Sequence, residues 1–170
     1  CIRDRLLDVT KDPAMLLWLN GSDNSKDSPN ENYAREMMEL FTLGADRGYT
    51  ENDVRQQARA LTGFRNSWSQ NSGPTNFRYD PRYHDPGQKT IFHHRGRFTW
   101  KDSCRACVTH PDHASFFVQK LWSYFVPVAP DHATQRALER LYKRSKYEVR
   151  PVVAAILRHP MLYKGPRLVK

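Results

Sequence analysis

Hydrophobic positions recur along this chain at helical spacing, and Gly, Pro and capping residues punctuate them. Residues 1–9 read as the tail of a helix. Asp12-Pro13 is a helix start: the Asp side chain can accept from orphan amides, and Pro costs nothing where its missing N–H has no partner. Ala14 to Asn20 is apolar nearly all round through Met15, Leu16, Leu17, Trp18 and Leu19, and Gly21 stops it. Residues 21–30 are a polar loop. Residues 31–43 carry the clearest amphipathic pattern. On a helical projection Glu31, Asn32, Arg35, Glu36, Glu39 and Thr42 share an arc of about 140°, and Tyr33, Ala34, Met37, Met38, Leu40 and Phe41 fill the other side. Gly44 ends this helix. Thr50 caps the next one, with Asp53 three residues on as its capping-box partner, Val54, Ala58 and Leu61 as its apolar stripe, and Gly63 as a C′ residue ahead of Phe64.

Residues 64–99 change character, because Gly, Pro, Asn and Ser interrupt every helical pattern there. Asn76–Tyr79 and Lys89–His93 are short β-like runs suited to pair as one small hairpin. Helices resume at Thr99, with Asp102 completing a second capping box, and His110-Pro111 breaks and restarts them. Residues 112–126 are too apolar for a surface helix and predict the centre of the core, with Phe117, Leu121 and Trp122 all deeply packed. Asp131 caps a helix to about Ser145, and Pro151 lies in the first turn of a last helix through Leu157, ended by His159-Pro160. The pattern therefore predicts a mainly α, compact multi-helix domain over residues 1–170. About seven or eight helices hold half or more of the residues around one core. Residues 64–99 form an irregular excursion with at most a small β-hairpin.

Composition adds three points. Of 170 residues, 12% are aromatic, enough buried surface to offset the ordering entropy that keeps polar chains unfolded. No stretch approaches the roughly 18 apolar residues a membrane span needs. The net charge of +9 is concentrated: residues 136–170 hold 10 Lys/Arg against 2 Asp/Glu, whereas residues 1–135 are nearly balanced. An acidic partner belongs at that end. With no initiator Met, the chain reads as a segment of a longer one.

The run Asn30-Glu31-Asn32-Tyr33-Ala34-Arg35-Glu36-Met37-Met38-Glu39-Leu40-Phe41-Thr42-Leu43-Gly44 resembles the bacterial DUF1800 family. So do Tyr49-Thr50-Glu51-Asn52-Asp53-Val54 and Ala58-Arg59-Ala60-Leu61-Thr62-Gly63. His84-Asp85, Lys89, His110-Pro111, Lys120-Leu121-Trp122 with Tyr124-Phe125, and the closing run Gly165 to Lys170 are similar in order and spacing. The resemblance covers essentially the whole chain. It implies a parent chain longer at both ends, members often encoded beside a second uncharacterised family, and export of many of them. It implies no activity, substrate or cofactor, and the C-x-x-C pair belongs to only a subset of the family.

Four groups of residues could carry chemistry. On the 31–43 helix, Arg35 is spaced i,i+4 from both Glu31 and Glu39, and Asn32 from Glu36. One reading is a cleft-lining site where Glu36 or Glu39 acts as acid or base and Arg35, with Asn32 and Arg59, holds an anion. The others are a solvated ladder of weak surface pairs and a buried network clamping the irregular segment. His84-Asp85 with Lys89 could supply a base or metal ligand alongside Glu36 or Glu39, or form a turn capped by Asp85. Cys104 and Cys107 share a helix face. The alternatives are small core residues, a zinc pair completed by His93, His94 or His110, and a redox pair; bound metal is not expected. Arg136, Arg140, Lys143 and Arg144 stripe one helix face opposite Leu138, Leu141 and Tyr142, suiting a polyanion, solvent or a docking surface.

The chain holds no G-x-S-x-G, H-E-x-x-H or Walker A motif, and no cofactor is predicted. The first functional reading is therefore a non-enzymatic binding or scaffold module of a bacterial, exported assembly. Its partners would be the remaining parts of the parent chain or a co-encoded protein. The alternatives are an acid/base or metal-assisted hydrolase-like enzyme using Glu36, Glu39, His84 and Asp85, and a polyanion binder through the basic C-terminal region. The stripe lacks interleaved exposed aromatics and helix-turn-helix spacing, which disfavours nucleic acid.

Overall fold

The structure is a computed structural model, which describes residues 1–164; the closing run Gly165 to Lys170 lies outside the described residues. The fold is mainly α, with more than half of the described residues helical. Helices α1 (Ile2–Thr10) and α2 (Pro13–Trp18) precede a 3-10 turn at Gly21–Asp23. Helix α3 (Asn32–Glu36) runs without a break into a π-helical stretch (Met37–Thr42), and α4 (Glu51–Ala60) follows. The excursion is next. Helices α5 (Trp100–Thr109), α6 (His113–Phe125), α7 (His132–Arg144), α8 (Val149–Leu157) and α9 (Pro160–Lys164) complete the described chain. No helix among the described residues is long and apolar enough to cross a membrane.

The local signals act as their chemistry dictates. The Asp12 side chain accepts from the Ala14 amide at 2.9 Å. The Thr50–Asp53 and Thr99–Asp102 boxes form reciprocally. Gly63 adopts φ +115°, and a Cβ there would lie 2.7 Å from the Tyr79 ring, so both turn and packing require glycine.

The excursion is more regular than its composition predicts. It folds as two separate antiparallel hairpins: β1 (Phe64–Ser69) with β2 (Gly73–Tyr79), and β3 (Lys89–Ile91) with β4 (His94–Gly96). The two predicted runs are thus strands, but they do not pair with each other. Each has a nearer partner across a tight turn. The β3–β4 turn is Phe92-His93, both at positive φ (48° and 67°), the two-residue geometry that matches strand twist. The β1–β2 turn closes at Gly73, φ +67°.

The helix over 31–43 departs from its projection. Beyond Glu36 the backbone bonds shift to five residues back, as from the Leu43 amide to the Met38 carbonyl at 2.8 Å. The Thr42 hydroxyl also donates to the Met37 carbonyl at 2.6 Å. A π stretch turns by less per residue, so its side chains fall behind the α-helical phase. Thr42, expected on the polar face, is buried, and Leu40, expected on the apolar face, is 46% exposed. Helix α2 departs similarly: Leu16 and Leu19 are buried, whereas Leu17 and Trp18 stand out. Two turns of helix bury only one side.

The core has two centres rather than one around residues 112–126. The larger joins α1, α3, the π stretch, α4 and α5 through Leu6, Tyr33, Met37, Val54, Leu61 and Cys107. The second joins α6, α7 and α8 through Val118, Trp122, Leu138, Tyr142, Val152 and Ile156. Ile2 and Tyr147 touch both. Helix α6 buries His113, Ala114, Val118 and Trp122, but Phe117 and Leu121 are only half-buried and Tyr124 is exposed. The apolar surplus of α6 reflects an outer face left in solvent, not a central position.

Candidate functional site

Arg35 on α3 is the hub of an ion-pair fan. Its guanidinium meets Glu51 of α4 bidentately at 2.9 and 2.7 Å, and reaches Glu31 at 3.3 Å and Glu39 at 3.5 Å within its own helix. The hydrogen bond to Glu51 stabilises the guanidinium charge and holds the Glu51 carboxyl below its ordinary range. The predicted partner outside the helix is thus Glu51. The fan lies at the surface: Arg35 is 33% exposed and Glu51 63%. Asn32 is exposed, and the Glu36 carboxylate has no hydrogen-bond or ion-pair partner among the described residues. The arrangement locks α3 to α4.

The opposite end of α4 carries a second cluster. Arg59 Nε donates to Asp85 at 2.7 Å, and Arg59 also reaches Gln56 at 2.8 Å. Asp85 accepts from the Gly87 amide at 2.7 Å, and the Asp85 amide donates to the Thr62 hydroxyl at 2.8 Å. Lys89 is 1% exposed, and its ammonium donates to the carbonyls of Asp85 at 2.5 Å and Gly87 at 3.0 Å. Burial pushes the Lys89 and His84 pKa values down. Burial opposes the Asp85 charge most strongly, yet the Arg59 and Gly87 hydrogen bonds with the Lys89 and Arg59 charges together outweigh it and keep the carboxyl below its usual range. His84 Nδ1 lies 3.0 Å from the Thr62 carbonyl. The structure therefore brings Arg59, His84, Asp85 and Lys89 together, with the Arg59–Asp85 pair and the His84 Nδ1 contact fixing residues 84–89 to the end of α4 and Lys89 bracing the segment internally. No hydrogen bond or ion pair joins Glu36 or Glu39 to them; Glu51 and Arg59 stand about 12 Å apart along α4. Among the described residues no group of three His, Cys, Asp or Glu side chains is placed to hold a metal ion.

Cys104 and Cys107 are wholly buried free thiols. Cys104 lies 3.2 Å from the Thr10 hydroxyl, and Gln57 donates to Cys107 at 3.3 Å. Burial pushes the Cys104 thiol up to about 11 and Cys107 higher still, so neither is nucleophilic near neutral pH. On α7, Arg136, Arg140, Lys143 and Arg144 are all exposed, and none forms an ion pair among the described residues.

Periodicity did not reveal a further feature shaped to hold a ligand. An apolar cleft of about 290 Å3 opens between α1, α2, the π stretch, α5 and α6, walled by Leu6, Val9, Met15, Trp18, Phe41 and Val108. Thr42 and His113 are the polar members of its lining, and Arg5 is the charged one. The π stretch makes this wall by turning Phe41 and Thr42 inward. His113 is buried and spans two elements. Its Nδ1 lies 2.8 Å from the Thr42 carbonyl, which can only accept, so Nδ1 carries the proton. Its Nε2, 3.0 Å from the Tyr142 hydroxyl, is then the acceptor. Desolvation lowers the His113 pKa to about 4, and burial raises that of Tyr142. Phe117 stacks on Tyr142, ring centroids 4.9 Å apart. A largely apolar concavity with a few convergent polar groups and a perturbed titratable residue is the usual form of a binding site. In the sequence the trace was His113 at the start of a strongly apolar helix.

Comparison with curated proteins and with solved structures gives no match to this chain. The family described as Protein of unknown function (DUF1800) matches residues 2–170, with the Arg35 fan, the Arg59–Asp85–Lys89 cluster and the cleft all inside that span, and the chain belongs to that family.

Proposed function

We propose that this chain is a binding module and that the cleft between α1, α2, the π stretch, α5 and α6 is where it takes an apolar ligand. One observation carries the reading: about 290 Å3 of apolar space is held open by a helix wound out of α-helical register, over a floor where His113 is locked between the Thr42 carbonyl and Tyr142. The volume is roughly twice that of a 150 Å3 cavity able to bind benzene. A non-catalytic role fits His113, whose two ring nitrogens are both engaged and whose basicity is low. The test is titration of the full-length natural chain with the uncharged fluorophore N-phenyl-1-naphthylamine. One equivalent should bind with enhanced emission, and Val9→Trp, which fills the cleft from its half-buried wall, should abolish it. No saturable binding, or binding unaffected by Val9→Trp, rejects the reading.

A second reading rests on a separate observation, the exposed row Arg136, Arg140, Lys143 and Arg144, which forms no ion pair among the described residues. Such a row supports contact with a polyanion through counterion release. Retention on heparin that falls steeply with salt, and that is lost on reversing two of these charges, is the expected result. Retention unchanged by the reversals rejects it.

A further inference from the structure

Arg5 is the charged member of the cleft lining, and the structure leaves its guanidinium without a hydrogen-bond or ion-pair partner among the described residues. Three carboxylates stand near it in sequence and line the neighbouring groove with it: Asp4, Asp8 and Asp12. Each is engaged elsewhere. Asp4 serves the capping box at the start of α1. Asp8 pairs with Lys11 at 3.1 Å. Asp12 accepts from the Ala14 amide as the N-cap of α2. Each of these acids thus has a partner other than Arg5, and the Arg5 fork remains open beside an apolar hollow. The other polar lining groups have no capacity of that kind. The Thr42 hydroxyl is spent on the Met37 carbonyl, and both His113 nitrogens are bonded.

We infer that the ligand of this cleft is an anionic amphiphile: an apolar body that fills the space between Leu6, Met15, Phe41 and Val108, and a carboxylate head held by Arg5 at the mouth. The inference rests on the reading of the cleft as a binding site and adds the chemical class of the occupant. Arginine suits the task because its planar fork meets a carboxylate in two parallel hydrogen bonds and stays charged at every accessible pH. Trp18, 66% exposed and part of the same lining, offers an apolar plane at the mouth against which the start of an alkyl chain can lie. A cationic head would meet Arg5 as a like charge, and a neutral head would gain only the apolar contacts.

The experiment uses three probes of equal chain length, decanoate, 1-decanol and decylammonium, titrated calorimetrically into the full-length natural chain at low ionic strength. Decanoate is expected to bind at least about tenfold more tightly than decanol, and decylammonium more weakly than either. Arg5→Gln, a change at an exposed position, should bring decanoate to the level of decanol. Val9→Trp should remove all three. Equal affinity for decanoate and decanol, or a decanoate preference that survives Arg5→Gln, overturns the anionic-head inference and leaves the cleft as an apolar site. Failure of every probe to bind, or binding indifferent to Val9→Trp, overturns both.

Discussion

The buried His113 makes stability depend on pH in a range where most carboxylates are still ionised. In the folded chain its pKa is about 4; in the unfolded chain it returns to about 6.5. Below about pH 6.5 the unfolded state therefore binds a proton that the folded state refuses, so stability falls as pH drops, and the fall ends near the folded pKa. Between about pH 7.5 and about pH 5 the linkage amounts to roughly 2 kcal/mol from this one side chain. The structural cause is plain. A proton on Nε2 converts the acceptor of the Tyr142 hydroxyl into a donor, inside a pocket stacked by Phe117 and closed by Tyr147. Burial also lowers the His84 pKa, which contributes in the same direction, so the wild-type curve alone does not isolate His113. The decisive quantity is a difference: urea denaturation of wild type and His113→Gln at both pH values, with the variant losing about 2 kcal/mol less on acidification. Parallel pH dependences for the two chains refute the argument. An independent check needs no variant. The His113 Cε1–H resonance should stay unshifted down to about pH 5, and a titration midpoint near 6.5 refutes the buried, neutral imidazole.

Three further outcomes follow from the geometry. Arg35→Ala should lower the denaturation midpoint only slightly, and about 1 M salt should erase the difference, because the fan is solvent-exposed; a large, salt-insensitive loss would mark it as a buried network. Lys89→Ala should cost about 2–4 kcal/mol in chemical denaturation, since it strands two part-buried carbonyls and leaves a void, and a loss below about 0.5 kcal/mol would contradict the burial of its ammonium. Cys104 and Cys107 should resist Ellman's reagent at about pH 8 in the native chain and react fully in denaturant, whereas fast native modification of either would contradict their burial.

The parts of the fold written in short-range code were legible. Asp12, Thr50–Asp53, Thr99–Asp102 and the two His-Pro junctions act through neighbours two or three residues away, so composition and spacing suffice to place them. The Arg35 fan was half legible: helical spacing gives Glu31 and Glu39, and the choice of arginine over lysine hints at a partner such as Glu51. Pairing of the strands was not, because Asn76–Tyr79 and Lys89–Ile91 each choose between partners, and turn geometry at Gly73 and Phe92-His93 decides the choice.

What remained hidden shares one physical origin. A helical projection assumes a constant angle per residue, and the assumption fails where the backbone switches to bonds five residues back. Met37 and Met38 still reach the core, but the drift grows along the stretch, which sends Leu40 outward and brings Thr42 to the wall of the cleft. No isolated propensity favours that switch. Its support is tertiary: the Thr42 carbonyl is held by His113 from α6, and the Leu40 carbonyl accepts from Lys120 on the same helix. Lys120 thus tethers the rim of the stretch and His113 its base, so helix α6 imposes the register that shapes the cleft. Residues 71 and 80 positions apart in sequence must meet before the site exists, and a pattern read along the chain carries no trace of that meeting.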